Sequence, residues 1–170
     1  NYASGVDGAT PHLAAELFNS MARVNIVKIN YKGGGPALTG LVSGESHLMF
    51  ATAGGVTPQI KSGRLKALAV TSTEPSALVP GLPTVASAGL PGYEVVAISG
   101  MFAPAKTPAA IINRVNQEVV RYIRLPNTQA QLLTTGGEAV GSSPEQFGAK
   151  VKAEMAAFGK IIKDARAKAN

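Results

Sequence analysis

Three glycine-rich stretches carry the residues best suited to chemistry in this sequence. They are SGVDGA (4–9), KGGG (32–35) and TAGGV (52–56), and each lies between an apolar run and a helical pattern. A residue without a side chain is needed where the chain turns unusually or where another molecule approaches the backbone. Free N–H groups and the helix dipole at a helix start favour an anion such as a carboxylate or phosphate. The three stretches therefore predict an anion-binding pocket.

The two common phosphate-binding motifs do not explain these stretches. No Gly-Lys-Ser/Thr follows Gly33 to Gly35, as a P-loop requires, and no G-x-G-x-x-G opens a helix. A single glycine-rich turn is often only a tight connection. Three such turns at one edge of a sheet favour a real pocket, because ligands of open α/β folds bind at that edge.

The composition excludes several kinds of site. The 170 residues include no cysteine and two histidines, His12 and His47. Disulfides, thiolate metal sites and cysteine nucleophiles are therefore excluded, and a histidine-rich metal site is not expected. The acidic residues form no obvious pair, and no serine-histidine-acid set is suggested. We expect no enzyme, no catalytic residue, no metal and no cofactor.

Much of the net charge of +6 lies near the C-terminus, where a solvated helix face is the simplest explanation. Nucleic-acid binding would require aromatic residues beside the basic ones for stacking. Only Phe158 is available there, and its spacing places it among apolar residues, so we predict no nucleic-acid site. The basic residues of this face are Lys150, Lys152, Lys160, Lys163, Arg166 and Lys168.

Alternating β-type runs and helical patterns predict an α/β fold with a parallel sheet flanked by helices. The three glycine-rich loops would then lie along the carboxyl edge of the sheet and line one crevice. A proline-rich connection follows residue 72, with one helical turn predicted at 84–88. The predicted strands are 1–4, 24–31, 47–51, 65–72 and 94–104, and the predicted helices are 11–22, 36–43, 58–62, 108–124, 127–135 and one from 144 onwards.

Five of these helices are predicted to carry proline at their first position, where its missing N–H costs nothing. Ser143 and Gln146 additionally predict a capping box at the start of the last helix. The prolines are Pro11, Pro36, Pro58, Pro108 and Pro144.

The motifs together closely resemble the Bug family, the periplasmic solute-binding proteins of tripartite tricarboxylate transporters. The resemblance covers essentially the whole chain and is carried by HLAAELF (12–18), YKGGGPAL (31–38), IKSGRLKALAVTS (60–72) and PTVASAGLPGYE (83–94). It implies a periplasmic-binding-protein-like (type II) fold, in which two α/β domains close on a small organic acid like a Venus flytrap, without catalysis. It also implies a periplasmic location.

The resemblance assigns residues 1–97 to the ligand-binding lobe, which is the second domain of the family. Residues 98–170 would form the hinge crossing, with Ser99 and Gly100 at the hinge, and a C-terminal helical segment that in the family returns toward the first domain. By the same resemblance the N-terminal part of the first domain is absent, so we expect a truncated form without its signal peptide.

The implied ligand is a di- or tricarboxylate, captured at the carboxyl edge of the sheet before the receptor docks on membrane subunits. The residues carried over from the family come from three loops. They are Ser4, Gly8, Ala9 and Thr10 from the first, Tyr31, Lys32, Gly33 and Gly34 from the second, and Ala51, Thr52 and Ala53 from the third.

Three departures from the family pattern bear on the ligand. His47 and Ala51 stand where aspartates are common, which makes recognition of an amino group less expected. Ile98 lies in the segment where many members have a tryptophan, so an aromatic wall is in doubt. Asp7 lies in the first loop, where a neutral residue is common, and would repel a carboxylate unless it points outward.

Simpler explanations remain open for several of these residues. Thr10 is expected to be a helix N-cap whether or not it binds ligand. Tyr31 either stacks on the ligand or fills the strand end. Lys32 could neutralise a bound carboxylate, but an exposed surface lysine is the simpler explanation. His12 is expected to be a hydrogen-bonded structural residue, and His47 to face solvent.

One alternative function and one partner also remain. The crevice could serve an effector-binding or oligomerisation module without transport. An apolar stripe on the last helix predicts self-association or domain exchange. The stripe comprises Phe147, Val151, Met155, Phe158 and Ile162.

Overall fold

Three short parallel strands form the sheet. They are β1 (Tyr2–Ser4), β2 (Lys28–Asn30) and β3 (Leu48–Met49), in the spatial order β2-β1-β3. Tyr2 pairs with Lys28 of β2 on one side and with Leu48 of β3 on the other. Tyr2, Ala3 and Ser4 are all buried, as expected for a central strand covered on both faces. The predicted parallel sheet flanked by helices is confirmed.

The helices follow the strands and then continue alone to the C-terminus. The computed structural model describes residues 1–169, apart from the side chains of residues 160 and 163–169. Lys160, Lys163, Arg166 and Lys168 of the predicted basic face therefore lie outside the described side chains. The helices are α1 (Thr10–Ala22), α2 (Gly34–Val42), α3 (Ala53–Lys61), α4 (Ala109–Ile123), α5 (Pro126–Thr134) and α6 (Pro144–Ala169). Within this range, no helix combines the length and the apolar character required to cross a bilayer.

The core joins α1 to the irregular segment that follows α3. Tyr93 is almost fully buried, and its hydroxyl donates a 2.8 Å hydrogen bond to the carbonyl of Ala14 in α1. Burial of such a side chain contributes about 1.5–3 kcal/mol. Phe18 packs its ring against Phe50 and Tyr93, with centroids 5.8 and 6.2 Å apart. Phe158 of α6 packs on the same cluster, so the last helix returns to α1.

Two predicted strands, 65–72 and 94–104, are wrong for this structure. The first contributes only an isolated parallel bridge between Val70 and Thr84, and the second is irregular apart from a 2.9 Å bond from Val95 N–H to Thr71 C=O. Apolar runs fit a pleated, half-buried surface, but a strand also needs a partner of matching register. The predicted turn at 84–88 is confirmed by a bond from Ala88 N–H to Thr84 C=O.

The proline rule is correct for the first and the last helix and wrong for the three helices between them that were predicted to begin at proline. α6 begins at Pro144 and α1 has Pro11 in its first positions, whereas Pro108 precedes α4. α2 begins two residues before Pro36, and α3 begins at Ala53 with Pro58 inside it. Pro58 gives up one donor to the helix, yet the ladder continues, since Ser62 N–H donates to the Pro58 carbonyl at 3.1 Å.

Hydrogen bonds at the sheet edge and at α6 fix two further positions. At the amino edge of the sheet, the His47 N–H donates to Asn1 Oδ1 at 3.0 Å, and the His47 side chain is exposed as predicted. At the start of α6, Ser143 Oγ accepts from the Gln146 N–H at 3.2 Å. Gln146 Oε1 in turn accepts from the Ser143 N–H at 2.9 Å. The predicted capping box is therefore confirmed.

Candidate functional site

The loops that follow the three strands lie at one edge of the sheet, which is the carboxyl edge of β1, β2 and β3. We call residues 5–9 the first loop, 31–33 the second loop and 50–52 the third loop. The Tyr31 N–H donates a 2.8 Å hydrogen bond to the Ser4 carbonyl, which extends the β1–β2 ladder to the edge. The first and second loops therefore start side by side, as the sequence predicts for parallel strands.

Gly5 brings the backbones of the first and second loops into contact. A Cβ placed on Gly5 would lie 2.6 Å from the carbonyl carbon of Gly33 and 2.8 Å from the nitrogen of Gly34. Only glycine allows this approach without a backbone shift. Sequence reasoning missed Gly5, although its position directly after β1 was the available signal.

The three consecutive glycines, Gly33 to Gly35, have different structural roles at the end of the second loop and the start of α2. Gly33 precedes α2 with a φ of 114°, a conformation that favours glycine. Gly34 and Gly35 form the first turn of α2, and an added Cβ at either would meet open space. Their N–H groups belong to a helix start, where the helix itself supplies no acceptor. A bare helix start is thus exposed at the edge of the sheet.

The first loop uses part of its donors internally. The Gly8 N–H donates to Nδ1 of His12 at 3.0 Å, and the Ala9 N–H donates to the Val6 carbonyl at 3.3 Å. Ala9 is the N-cap of α1, and Thr10 is its first helical residue without a side-chain cap bond. The prediction of Thr10 as N-cap is wrong, because the extended backbone ends one residue earlier, at Ala9.

A chain of polar contacts holds the first loop against α1 and β2. Lys28 Nζ lies 2.6 Å from Asp7 Oδ1 and 3.5 Å from His12 Nε2. His12 Nε2 lies 3.9 Å from Glu16 Oε1, which accepts a 2.8 Å bond from the Tyr2 hydroxyl. His12 is therefore a hydrogen-bonded structural residue, as predicted.

These contacts set the protonation states around the first loop. The hydrogen bond and charge of Lys28 lower the pKa of Asp7. Burial and the charge of Lys28 lower the pKa of His12, and burial together with the Glu16 bond raises that of Tyr2. A neutral His12 is also what its Nδ1 needs in order to accept from Gly8. The charge of Asp7 is paired with Lys28 and does not stand alone in the loop.

Ser4, Tyr31 and Lys32 occupy three different environments. Ser4 ends β1 and is buried, and its Oγ finds no hydrogen-bond partner among the described residues. The Tyr31 ring packs on Gly40 in the second half of α2, where a Cβ would lie 2.8 Å from ring atom Cε1. Tyr31 thus fills space along α2, and Lys32 is exposed. Both observations agree with the simpler explanations that the sequence left open.

The third loop differs from the other two because another part of the chain covers its helix start. Ala51 and Thr52 are exposed, and Ala53 begins α3 with Thr52 as N-cap. The next residue, Gly54, lies against Thr135 and Gly136, the turn that follows α5. Sequence reasoning missed this contact, and the glycines on both sides were its only signal.

The predicted hinge residues lie in the irregular stretch before α4. Ser99 and Gly100 are both exposed to solvent. The Phe147 ring of α6 nevertheless lies over one side of Gly100, since its Cε1 would be 2.6 Å from a Cβ placed on that residue. Phe147 also packs on Phe102 at a centroid distance of 5.4 Å. Their role as a hinge stays a prediction.

Other features do not compete with this edge as a site. Among the side chains described, no three His, Cys, Asp or Glu residues gather as metal ligands would. A shallow depression of about 460 Å³ lies at α4, lined by Glu118, Arg121, Tyr122 and Leu125. Its two charged groups are already paired with each other, and we do not assign it a ligand.

Comparison with known proteins gives consistent matches over nearly the whole chain. The family of tripartite tricarboxylate transporter family receptors (TctC) matches residues 1–166. A UPF0065 protein from the tcbD-tcbE intergenic region of Pseudomonas sp. (strain P51) is 34% identical, over 100% of this chain and 51% of the relative. A UPF0065 protein from the clcB-clcD intergenic region of Pseudomonas knackmussii is 33% identical, over 91% of this chain and 92% of the relative. BugT of Bordetella pertussis is 28% identical, over 95% of this chain and 49% of BugT.

Solved structures confirm the predicted fold class. Rpa4515 of R. palustris with adipate superimposes with a TM-score of 0.84 at 34% identity, over 95% of this chain and 54% of that protein. The periplasmic binding protein BugD gives 0.80 at 32% identity, over 96% and 56%. MatC from Rhodopseudomonas palustris with bound malate gives 0.78 at 29% identity, over 95% and 56%. The chain thus spans about half the length of these three proteins and of the Pseudomonas sp. (strain P51) relative.

Proposed function

Because this chain belongs to the tripartite tricarboxylate transporter receptor family, we propose that it binds a small carboxylate at the carboxyl edge of its sheet. One observation carries the proposal. The first and second loops meet through Gly5, and beside this contact the glycine start of α2 faces open space. Aligned N–H groups at a helix start are suited to a carboxylate, and the missing side chains allow it to approach the backbone.

The charges near the first loop are compatible with an anionic ligand. Asp7 is paired with Lys28 at 2.6 Å, which reduces the repulsion that the sequence suggested. Lys32 is exposed at the second loop, and the chain carries a net charge of +6. A positive net charge raises the local concentration of anions and their association rate.

The ligand class follows from the relatives and from Ala51. Two similar structures carry adipate and malate, both dicarboxylic acids. Ala51 in the third loop offers no carboxylate for an amino group. We therefore propose a di- or tricarboxylate and disfavour an amino acid.

The proposed contacts differ in what each residue contributes. Ser4 Oγ would donate a hydroxyl bond, since it is buried without a partner among the described residues. Gly8 and Ala9 would shape the first loop, since their N–H groups are engaged within it. Backbone groups would come from Thr10, Gly33, Gly34, Ala51, Thr52 and Ala53, with Tyr31 and Lys32 at the margin.

The wider receptor role extends beyond this chain. Residues 1–97 would act as one lobe, and residues 98–170 as the crossing and return segment, with Ser99 and Gly100 at the hinge. Closure of two lobes on the ligand would precede docking on membrane subunits in the periplasm. Support comes from the family description and from relatives described as periplasmic.

We also propose self-association, since apolar residues such as Phe102 and Val140 are 77% and 82% exposed.

A thermal-shift screen followed by calorimetry tests the ligand proposal. Adipate, malate and citrate are compared with glutamine and benzoate. A ligand at 100 times its dissociation constant should stabilise the chain by about 2.7 kcal/mol. No shift with any of the three acids, or an equal shift with glutamine, would refute carboxylate binding by this chain.

A pair of glycine variants locates the site. Gly34→Ala adds a methyl group at the start of α2, and Gly148→Ala adds the same group in α6, where it also meets open space. Gly34→Ala is expected to weaken carboxylate binding by about tenfold or more, which corresponds to about 1.4 kcal/mol. Gly148→Ala should leave the affinity unchanged. Equal affinities for the two variants would place the ligand elsewhere.

A further inference from the structure

The turn after α5 makes a close backbone contact with the start of α3. A Cβ placed on Gly54 would overlap the carbonyl oxygen of Thr135, and would lie 2.8 Å from its carbonyl carbon and 3.3 Å from the Gly136 Cα. A Cβ placed on Gly136 would overlap the nitrogen and Cα of Gly54 and lie 3.2 Å from the Ala53 carbonyl carbon. Both sides of this contact therefore require glycine.

The turn is itself hydrogen-bonded to α5, and Glu138, which follows it, is bonded to the segment after α3. The Thr135 N–H donates to the Gln131 carbonyl at 3.2 Å, and the Gly137 N–H donates to the Leu132 carbonyl at 2.9 Å. On the other side, Glu138 Oε1 accepts a 2.7 Å bond from the Ser76 hydroxyl. The turn is thus tied to α5 by backbone hydrogen bonds, and the start of α3 packs against it.

The third loop is directly attached to the supported residue. Thr52 is the N-cap of α3, its carbonyl accepts from the Gly55 N–H at 3.1 Å, and Gly54 lies between the two. The Thr135 carbonyl oxygen also places the negative end of a dipole near this helix start, where negative charge is favoured. A displacement of the turn would therefore change the position of Thr52.

We propose that the Thr135–Gly136 turn holds the third loop in its binding position, which makes Gly54 and Gly136 positioning residues for the ligand site. The inference rests on the proposed function for its consequence in binding, whereas the backbone contact on which it is built is present without ligand. Through it, the third loop is connected to α5, and through α5 to α4, which packs on it. The contact therefore gives the C-terminal segment a means of adjusting the site.

Hydrogen exchange in the third loop tests the coupling from one side. Gly136→Asn introduces a Cβ at a φ of 82°, and Gly63→Asn does so at a φ of 73° in open space. Asparagine tolerates a positive φ better than other non-glycine residues. Comparing the two variants therefore separates the effect of the backbone contact from the conformational cost of replacing glycine. Gly136→Asn should speed amide exchange in residues 50–57 on the order of tenfold. Exchange in residues 5–9 and 31–35 should not change, and Gly63→Asn should leave all of these segments unchanged.

The reciprocal variants read the contact from the other side. Gly54→Ala creates the overlap with Thr135, whereas Gly55→Ala makes only an ordinary contact, 3.6 Å from Thr52 Oγ1. Gly54→Ala should speed exchange in residues 130–138, and Gly55→Ala should not. Unchanged exchange in both readouts, or uniform loosening of the whole chain, would overturn the proposal. It would also be overturned if Gly136→Asn and Gly54→Ala both failed to fold while both controls folded, since the contact would then support the fold and not the loop.

Ligand binding separates this inference from the proposed function. If the chain binds a dicarboxylate, Gly136→Asn should weaken binding on the order of tenfold relative to Gly63→Asn. An unchanged affinity despite faster exchange in residues 50–57 would show that the turn does not position the site. If the unmodified chain binds no carboxylate, the proposed function fails, and the exchange experiment still decides whether the coupling exists.

Discussion

His12 connects the first loop to α1 through one hydrogen bond that depends on its protonation state. Its Nδ1 accepts from the Gly8 N–H at 3.0 Å, and its Nε2 faces Lys28 at 3.5 Å and Glu16 at 3.9 Å. Asp7 pairs with Lys28, and Tyr2 donates to Glu16. A proton on Nδ1 would replace the acceptor with a donor and break the bond to Gly8.

We expect His12 to make the stability of the chain fall at mildly acidic pH. Burial and Lys28 lower its pKa in the folded state, whereas the unfolded state retains a pKa of about 6.5. The unfolded chain therefore binds more protons as the pH falls through that value, and the free energy of unfolding decreases. The loss continues until the pH reaches the lowered folded pKa.

Urea unfolding of His12→Gln and His47→Gln between about pH 7.5 and 5.5 measures this effect. The lowered pKa of Asp7 acts below this window, because the ordinary aspartate value is about 3.9. The unmodified chain and His47→Gln should lose stability together as the pH falls, and His12→Gln should lose less. Parallel curves for all three proteins would contradict the assignment.

For single residues, the sequence predicts a role that depends on a neighbour nearby in the chain. It does not predict a role that depends on contact with a residue far along the chain. The structural role of His12 is predictable, since Gly8 lies only four residues away. The need for glycine at Gly5 and Gly54 depends on Gly33 and Thr135, which lie far along the chain. Spacing does not reveal which backbone will approach a given glycine.

The start of α6 is the element whose stability depends most clearly on side chains. Ser143 accepts from the Gln146 N–H at 3.2 Å and donates to Glu145 Oε2 at 2.8 Å. The pKa of Glu145 is lowered mainly by the hydrogen bond from the Glu145 backbone N–H, and further by the hydrogen bond from Ser143. The negative charge near the helix start is favoured by the helix dipole.

Ser143→Ala is expected to lower the free energy of unfolding by about 0.5–2 kcal/mol, the usual cost of losing a serine N-cap. Ser142→Ala is the matched control, because Ser142 uses its carbonyl, and not its side chain, to accept from Asn116 Nδ2 at 2.9 Å. Chemical denaturation followed by circular dichroism measures both. A loss for Ser142→Ala as large as that for Ser143→Ala would show that the capping bond is not the cause.

Elements are predictable where their signals are local. The helices after residue 108 and the capping box follow from periodicity and from Ser143 and Gln146. The strands predicted at 65–72 and 94–104 fail because pairing is decided by neighbours that an apolar run does not identify. The start of α3 is missed because Pro58 suggested a helix beginning there, although a helix can lose one hydrogen bond and continue.

For the whole molecule, the apolar surface lies mainly in the C-terminal part. Phe158 of the predicted α6 stripe packs on α1, and Phe147 packs on Phe102, so part of that stripe finds its partner within the same chain. Met155 remains 70% exposed. On α4, the spacing of Ile111, Val115 and Tyr122 places them on one face, and all three are exposed. We take this face as the candidate surface for association.

We expect the chain to self-associate through α4 in a concentration-dependent manner. Val115→Lys should weaken association by about tenfold, or about 1.4 kcal/mol, because a charged side chain replaces an exposed apolar one on this face. Val24→Lys is the control, since Val24 is 44% exposed and Val115 is 42% exposed, and Val24 follows α1. Sedimentation equilibrium measures the mass. A single monomeric species at all concentrations, or equal weakening by both variants, would contradict the expectation.

The position of Asn1 makes the chain suitable as an optical sensor. Asn1 Oδ1 accepts from the His47 N–H at the amino edge of the sheet, which is the edge opposite the three loops. Immobilisation at this amino edge of the sheet would therefore leave the loops facing the solution. The sequence contains no cysteine, so Gly35→Cys would provide a single attachment point for a dye, and an added Cβ there meets open space. If the carboxyl edge binds a carboxylate as proposed, such a dye would report its arrival at α2 as a change in fluorescence.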